Sequence, residues 1–513
     1  MTAHLLVLDV GTSGAKALLV AEDGAVVASA TIEYPLDTPR PLWAEQNPAD
    51  WWAASAGAIR RVIEGSGVAA GDVAAVGLTG QMHGLVLLDA AGDVLRPCIL
   101  WNDQRTGTEC DEITRAVGAS RVLELTGNPV LAGFTAPKIA WVRKHEPDAL
   151  ARTARALLPK DYVRWQLTGE FLSDVSDASG TSLFDVGQRA WSAEMLKAVG
   201  VPRAWLPEVT ESPVASARVS AAAARETGLA EGTPVAAGAG DQAAQAVGTG
   251  IVEEGVASVT IGTSGVVFAH SDAYRVEPEG RLHAFCHAVP GAWHLMGATL
   301  SAGGSLRWYR DALCESEKAR AASEGSEAYD LMLEDAASAP AGCEGLFFLP
   351  YLTGERTPHA DPDARGAFVG LTLRHGKAHL TRAVIEGVSY ALRDSLELMR
   401  ALGLEPREVR ASGGGAKSAF WRQILADVFG QAISTVSSTE GAAFGAALLA
   451  GVSAGVYSSV KDACARTIRV TESTAPDAEA SSAYADYYPR FRALYPALAK
   501  EFKAITKVVE KRL

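Results

Sequence analysis

The N-terminal part of the chain alternates apolar runs with short breaks that contain glycine. The runs extend from Leu5 to Val10, from Ala15 to Ala21 and from Ala25 to Glu33. Apolar runs of this length between glycine turns are typical of β-strands that are joined by tight connections. The pattern predicts a three-stranded meander at the start of the chain.

Helical and strand-like segments alternate through the rest of the sequence. Residues 50–64 have helical character, and residues 73–79 form a short apolar strand pattern. The clearest helix spans residues 380–399, where apolar side chains recur every three or four positions. This mixture predicts a layered α/β fold with helices flanking the sheet. Residues 314–343 are predicted to form a peripheral helical insertion, and the basic end, residues 500–513, a terminal helix.

One short pattern occurs twice. Residues 7–20 read VLDVGTSGAKALLV and residues 256–269 read VASVTIGTSGVVFA, so that G-T-S-G lies between two apolar β runs in both places. A four-residue turn of common residue types can recur by chance. The second copy nevertheless begins halfway along the chain and has the same strand-turn-strand context, which favours two related halves.

Composition and charge exclude several classes of protein. The 513 residues include 60 Asp plus Glu against 47 Lys plus Arg, and the net charge of −13 has the wrong sign for binding nucleic acid or an anionic membrane. The six cysteines are scattered without a C-x-x-C pair, so neither zinc nor a disulfide framework is expected. Without a basic leader or a run of about 18 apolar residues, the expected location is the cytoplasm.

The first glycine turn is a candidate site for nucleotide phosphates. Asp9 lies within an apolar strand, where an unpaired carboxylate is costly, so it needs a partner. The turn at residues 11–14 offers backbone N–H groups, Thr12 and Ser13 add hydroxyl donors, and Lys16 adds a cation. A carboxylate beside such a turn suits Mg²⁺ and phosphate. A plain β-hairpin with a capping aspartate is the alternative.

Two further glycine segments could complete a nucleotide site. The second turn, residues 262–265, has Thr260 where the first has Asp9, so a pair of facing turns would carry one metal carboxylate. The loop Gly413, Gly414, Gly415 lies between a predicted strand and helix, where bare backbone lets a nucleotide approach closely. A tight turn would explain this loop equally well.

Asp241 has two possible roles. It stands in GAGDQAAQAVG, residues 238–248, between an apolar strand and a helix of small residues. An aspartate there is often the N-cap of the helix. It could instead be a general base at the carboxyl end of a strand, where α/β sheets bind ligands. The small residues around it leave room for a ligand.

Two polar segments could bind a sugar. Met82 and His83 lie in LTGQMHG between two strands, and His83 could hydrogen-bond a polyol or be a buried structural histidine. Trp101, Asp103 and Arg105 lie in LWNDQR at the end of another apolar run. An aromatic face beside fixed donors and acceptors suits a sugar.

These motifs together resemble the FGGY carbohydrate kinases, and among them the xylulokinases most. The resemblance extends over nearly the whole chain, through LDVGTSGAKALL, GQMHG, LWNDQR, LLPKDY, TGEFLSDVSDASGT, GAGDQAA, IGTSG and SGGGAKSAFWRQILAD. It implies two ribonuclease-H-like domains of the actin-like ATPase type, residues 1–250 and 251–513, with a cleft between them. It also implies ATP with Mg²⁺ as phosphoryl donor, D-xylulose as acceptor at O5, and a possible homodimer.

The resemblance further implies roles for individual residues. Asp241 corresponds to the catalytic base and Asp9 to the metal-associated acid of the family. Gln242 stands where some xylulokinases have asparagine, so its amide reaches one methylene further. The remaining matches are a sugar-contacting pair, Met82 and His83, the phosphate turns at Thr12, Ser13, Gly262 and Thr263, and an adenosine loop at Gly413, Gly414 and Lys417.

Other functions are also compatible with these sequence motifs. Within the family, the acceptor could be ribulose, gluconate or glycerol. From a different class, an actin-like or chaperone-like ATPase would use paired phosphate turns without a small-molecule acceptor. A catalytically idle sugar sensor is disfavoured because both Asp9 and Asp241 are present.

Overall fold

Strands and helices alternate along the chain in the computed structural model, which describes residues 3–438 and 440–512. The strands are β1 (His4–Val10), β2 (Gly14–Ala21), β3 (Val26–Glu33), β4 (Glu45–Gln46), β5 (Val73–Gly80), β6 (Val86–Leu88), β7 (Cys98–Ile99), β8 (Arg155–Leu157), β9 (Leu172–Asp174), β10 (Phe184–Asp185), β11 (Ala190–Trp191), β12 (Glu208–Thr210), β13 (Ala215–Arg218), β14 (Pro234–Ala236), β15 (Ala239–Gly240), β16 (Val256–Ile261), β17 (Gly265–Ser271), β18 (His283–Cys286), β19 (Trp293–Thr299), β20 (Phe347–Leu349), β21 (Ala367–Val369), β22 (Glu408–Ser412), β23 (Ile433–Val436) and β24 (Val470–Thr474). The helices are α1 (Pro48–Ser66), α2 (Gly107–Val117), α3 (Ala119–Thr126), α4 (Thr135–His145), α5 (Pro147–Arg152), α6 (Pro159–Thr168), α7 (Val175–Ala178), α8 (Ala193–Val199), α9 (Ala221–Thr227), α10 (Asp241–Gly248), α11 (Gly303–Leu313), α12 (Glu315–Glu324), α13 (Ala328–Ala336), α14 (Lys377–Ala401), α15 (Ala419–Phe429), α16 (Gly441–Ser453), α17 (Val460–Thr467) and α18 (Ala478–Glu510).

The first large sheet contains the predicted meander. Its order is β13-β14-β5-β1-β2-β3, and β15 pairs with the end of β5. Strands β1, β2 and β3 pair antiparallel, whereas β5 runs parallel to β1. Strands β1 and β2 are buried along most of their length because helices α1 and α16 cover opposite faces of the sheet, as the α/β pattern predicts. The three-stranded meander is therefore confirmed.

The second large sheet repeats this arrangement. Its order is β18-β19-β17-β16-β22-β23-β24. Strand β16 pairs antiparallel with β17 and parallel with β22, as β1 pairs with β2 and β5. The two G-T-S-G turns thus occupy equivalent places, and the recurrence in the sequence reflects a repeated fold. Two such sheets form the ribonuclease-H-like, actin-like architecture that the resemblance implies.

Helices α10 and α16 pack against each other, α16 on the first sheet and α10 beside β16 and β17 of the second. A Cβ atom added to Gly445 would lie 1.8 Å from the Ala244 carbonyl oxygen, and one added to Gly248 would lie 2.1 Å from that of Gly441. Only glycine permits backbones to approach so closely. Helix α16 also packs on β1 and β5, so a helix late in the sequence completes the core over the first sheet. The boundary at residues 250 and 251 stays a prediction.

Other predicted helices are present with small shifts of their ends. The amphipathic segment is α14, whose apolar residues from Val384 to Met399 lie in the core of the second half. Helices α12 and α13 occupy the predicted insertion. Helix α18 contains the basic end up to Glu510, and Leu513 lies outside the described residues. Within residues 3–438 and 440–512, no helix is long and apolar enough to cross a membrane.

Candidate active site

A cavity of about 830 Å³ lies where the carboxyl ends of β1, β15 and β16 face one another. Strand ends converge there because the parallel pairs β1–β5 and β16–β22 run toward the same gap. The predicted site residues that line it are Asp9, Asp241, Gln242, Gly413, Gly414 and Lys417. The two halves of the repeat therefore contribute to one site.

The first glycine turn is held by side chains from three other segments. Gln46 donates to the Thr12 carbonyl oxygen at 2.7 Å, and Gln81 donates to that of Gly11 at 3.3 Å. The indole of Trp101 donates to the Thr12 hydroxyl at 2.9 Å. Such bracing keeps the backbone N–H groups of the turn in place before a ligand arrives. The sequence offered no local signal for Gln46, because its partner is distant in the chain.

Asp9 and Asp241 are both difficult to ionise. Burial raises the pKa of Asp9 to about 6, and Lys16 on the neighbouring strand opposes the shift. Burial raises the pKa of Asp241 to about 7, with a further contribution from the charge of Asp9. A carboxyl that titrates near neutral pH is suited to accept a proton from an alcohol.

The carboxylate of Asp241 is not used to cap α10. The N-cap is Gly240, and Asp241 is the first helical residue. Gln242 donates to the Asp241 carboxylate at 3.3 Å. The N-cap interpretation is therefore wrong, and the carboxylate is left to face the cavity that it lines.

Lys16 forms an ion pair with a residue that lines the cavity. Its ammonium contacts the carboxylate of Glu440, the residue before α16, and both side chains are partly exposed. Glu440 also lines the cavity. A phosphate contact by Lys16 stays a prediction, and the structure shows a partner that competes for its charge.

The second glycine turn opens into a neighbouring cavity of about 860 Å³. Its Gly262 and Thr263 line that cavity and rest on the start of α11, where Gly303 N donates to Gly262 O at 2.8 Å. A Cβ added to Gly303 would lie 2.6 Å from that oxygen. Four other residues that line this cavity were not predicted from the sequence, although the G-G pair that opens α11 was a usable signal. They are Arg307, Tyr329, Asp330 and Trp421.

The third glycine segment lies between the two cavities. Gly414 and Lys417 line both of them. Gly413 has φ of +85°, and a Cβ there would lie 2.5 Å from the Ile261 carbonyl oxygen, whereas Gly414 has open space. Gly413 is thus needed for the close turn, and Gly414 leaves backbone accessible to a ligand.

His83 is a neutral imidazole fixed by its neighbours. Its ring stacks on Phe134 with centroids 4.4 Å apart, and Nδ1 lies 2.6 Å from the Gly180 carbonyl oxygen. Burial lowers the pKa of His83 to about 3. Since a carbonyl oxygen only accepts, Nδ1 carries the hydrogen and Nε2 is an acceptor for an alcohol. Met82 is buried beside Gly180 and Gly240, next to the start of α10.

Trp101 and Asp103 differ in what they present to a ligand. The Trp101 side chain is 45% exposed, apart from its bond to the first turn. Asp103 is fully buried, where it pairs with Arg105 at 2.7 Å and accepts from Ala44 N at 2.7 Å. A sugar contact by Asp103 stays a prediction, since its oxygens already order the turn that carries Trp101.

Comparison with known proteins accounts for this arrangement. The profile of the N-terminal domain of the FGGY family of carbohydrate kinases matches residues 4–248, and that of the C-terminal domain matches residues 257–454. Xylulose kinase from Escherichia coli is 43% identical over 96% of this chain and 98% of its own length. Gluconokinase from Bacillus subtilis is 31% identical over 98% of both chains. The crystal structure of xylulose kinase from Rhodospirillum rubrum is 32% identical with a TM-score of 0.91, covering 98% of this chain and all of that one. The chain belongs to the FGGY family of carbohydrate kinases.

Proposed function

We propose that the chain transfers the γ-phosphoryl group of ATP to the O5 hydroxyl of D-xylulose, giving D-xylulose 5-phosphate and ADP. The supporting observation is the Asp241 carboxylate, which does not cap α10 and lines a cavity to which both halves of the repeat contribute, with Asp9 and Gly11 from the first and Thr260 and Gly413 from the second. The identity of 43% with a xylulose kinase supports D-xylulose as the acceptor. Gluconate is the second candidate, because a gluconokinase is 31% identical.

Asp241 takes the proton of the attacking hydroxyl while the turns hold the phosphates. A positioned general base contributes about 10²- to 10⁴-fold to the rate. Most of the acceleration in phosphoryl transfer comes from alignment and from donors aimed at the developing charge. The backbone N–H groups of both turns, that of Thr12 included, are the donors together with the hydroxyls of Ser13 and Thr263, because the Thr12 hydroxyl already donates to Gln81 at 3.2 Å. Gly413, Gly414 and Lys417 hold the adenosine side.

Asp9 is the proposed ligand for Mg²⁺. Among the described residues none donates a hydrogen bond to its carboxylate, although burial makes an unpaired charge costly there. A hard cation with its waters fits such a carboxylate. When bound, Mg²⁺ would neutralise charge on the phosphate oxygens.

The sugar side is formed by Met82, His83, Trp101 and Gln242. His83 Nε2 accepts a hydroxyl hydrogen, because Nδ1 is already bonded to Gly180. The exposed indole of Trp101 offers an apolar face, and Gln242 offers an amide beside the base. These groups orient the sugar chain so that one hydroxyl reaches Asp241.

The first test is ADP release over a panel of ketoses, aldoses, polyols and sugar acids. We expect D-xylulose to give the highest kcat/KM, and a preference for gluconate would replace it with the second candidate. ATP turnover that is equally fast without any acceptor would indicate an actin-like ATPase instead.

The second test is Asp241→Asn. We expect kcat to fall by about 10²-fold or more while ATP still binds, because the amide cannot accept the proton. Asp185→Asn, on β10 away from both cavities, is the matched control. Near-normal turnover of D241N would exclude Asp241 as the base.

A further inference from the structure

A buried cluster of one lysine and three aspartates lies behind the start of α10. Lys160 Nζ is 2.5 Å from Asp161, 3.2 Å from Asp174 and 3.7 Å from Asp177. All four side chains are at most 1% exposed. They come from LLPKDY and SDVSDASGT, two motifs that have no part in the reaction proposed above.

This cluster holds both ends of a short segment, residues 237–240, that leads into α10 and is called the link below. Lys160 donates to the Ala237 carbonyl oxygen at 3.3 Å. At the other end, Gly240 N donates to the Ser176 hydroxyl at 3.1 Å. Because Asp241 follows Gly240 directly, these two bonds fix the position from which its side chain starts.

Ser176 is itself anchored in the cluster. Its hydroxyl donates to Asp174 Oδ2, which also accepts from Ser176 N at 2.8 Å and from the Ser212 hydroxyl at 3.0 Å. Hydrogen bonds to a carboxylate are stronger than those to a neutral acceptor. Asp174 is therefore the acceptor that holds Ser176, and through Ser176 the link, in place.

The same segment also supports the sugar side. Gly180, three residues after Asp177, accepts the hydrogen bond of His83 Nδ1. The hydroxyl of Ser179 accepts from Cys286 N of β18 at 3.1 Å. Residues 174–181 thus contact the link before the base, the sugar-side histidine and the second sheet.

Asp177 differs from the other two aspartates. Neither of its oxygens has a hydrogen-bond partner within residues 3–438 and 440–512, and it is the carboxyl farthest from Lys160. Three buried carboxylates facing Lys160, with the buried Arg164 guanidinium near Asp161 and Asp174 as a second cation, would leave one charge uncompensated, which is costly. Burial raises the pKa of Asp177 well above its usual value, and the charges of Asp161, Asp174 and Asp241 raise it further against the effect of Lys160.

We propose that this cluster positions the base: Lys160 and Ser176 hold the link that ends at Asp241, and Asp177 carries a proton beside it. The positioning role rests on the proposed function, whereas the protonation of Asp177 does not. With Asp177 neutral, Asp241 faces one negative charge fewer and remains able to ionise near neutral pH. Lys160, Asp161, Asp174 and Asp241 are the charged groups that face Asp177.

The protonation of Asp177 is tested by thermal unfolding of the Asp177→Asn variant between pH 5 and pH 8. A carboxyl with a raised folded-state pKa destabilises the fold increasingly as pH rises above about 4, because the unfolded chain loses the proton first. We expect the Tm of D177N to exceed that of the wild type at pH 8, with a difference that shrinks toward pH 5. Asp174→Asn, which removes the hydrogen-bonded anion, should lower Tm at pH 8. A lower or equal Tm of D177N at pH 8 would overturn the assignment of the proton.

Positioning is tested with Ser176→Ala, and Ser173→Ala is the matched control. Ser173 is also buried beside the cluster, but makes no hydrogen bond to residues 237–240. We expect S176A to lower kcat about tenfold while KM for ATP stays within twofold, and S173A to retain kcat. In a D241N background S176A should cause no further loss, because it acts through the base.

The outcomes separate this inference from the proposed function. An equal loss from S176A in both backgrounds, or full activity of S176A, would overturn the positioning role. Near-normal turnover of D241N would remove the base itself, and the Tm comparison of D177N would still decide where the proton resides.

Discussion

At the scale of single residues, the ion pair of Lys16 and Glu440 sets the charge at the rim of the cavity. Both side chains are about a quarter to a third exposed, so the pair contributes little to stability. Its effect on a polyanionic ligand is larger, because Lys16 cancels a carboxylate that lines the same cavity. The sequence predicts Lys16 beside the phosphates, but its pattern gives no sign of a partner more than 400 residues away.

We predict that Lys16→Met raises KM for ATP by about fivefold. Two like charges some 8 Å apart at an intermediate dielectric repel by about 1 kcal/mol, and K16M exposes ATP to the unpaired Glu440. The double variant K16M/E440Q should return KM toward the wild-type value. An unchanged KM in K16M, measured at low salt, would contradict this.

At the scale of elements, the contact between α10 and α16 joins the two halves through backbone atoms. Gly445 and Gly248 remove the side chains that would keep these helices apart. Helix α16 was predictable from its small apolar residues, but its place on the first sheet was not, because composition does not specify which of two related sheets a helix covers. The pairs β4–β7 and β10–β11 were likewise beyond prediction, since two-residue strands have no pattern of their own.

We predict that Gly445→Ala destabilises the protein by about 1–3 kcal/mol, the usual cost of overpacking a tight contact. Its Cβ would lie 1.8 Å from the Ala244 carbonyl oxygen. Gly65→Ala in α1 is the control, because a Cβ there meets nothing within 4 Å, and it should stabilise the helix slightly. Thermal melts compare the variants, and an equal Tm for G445A and G65A would be inconsistent with the close approach.

At the scale of the whole molecule, buried neutral histidines make the fold sensitive to acid. Burial lowers the pKa of His83 and His294 to about 3, and it lowers those of His283 and His287 well below the usual value. At these four positions the unfolded chain therefore binds more protons than the folded one between about pH 6.5 and the lowered folded-state pKa values. The stability that these histidines contribute is fully present above about pH 6.5 and is lost as pH falls through that range.

We predict that His294→Phe reduces this loss by about 1.4 kcal/mol per pH unit below about pH 6. Neither ring nitrogen of His294 has a hydrogen-bond partner in the described part of the chain, and the ring stacks on Phe268 at 4.3 Å. Tm at pH 7, 6 and 5 is the measurement, with the exposed His145→Gln as control. Parallel pH curves for H294F and the wild type would count against a buried neutral imidazole.

Much of this overall plan follows from the sequence pattern, and the site only in part. The repeated turn predicted two equivalent sheets, and Asp9, Asp241 and the glycine loop do line one cavity. Arg307, Tyr329 and Asp330 were missed because the insertion that carries two of them looked peripheral. The spacing of apolar residues predicts which side of a helix or strand is buried. It does not predict which distant segment packs against that side.

The late position of α16 has a consequence for synthesis on the ribosome. One face of the β1–β5 pair is covered by residues that follow it by about 400 positions, which take about 20–80 s to translate at 5–20 residues per second. During that time the nascent N-terminal half exposes an apolar surface to solvent. We expect chaperones that bind exposed apolar surfaces to bind it. A chain truncated before Gly441 lacks α16, so its first sheet should remain partly uncovered and the truncated protein should aggregate.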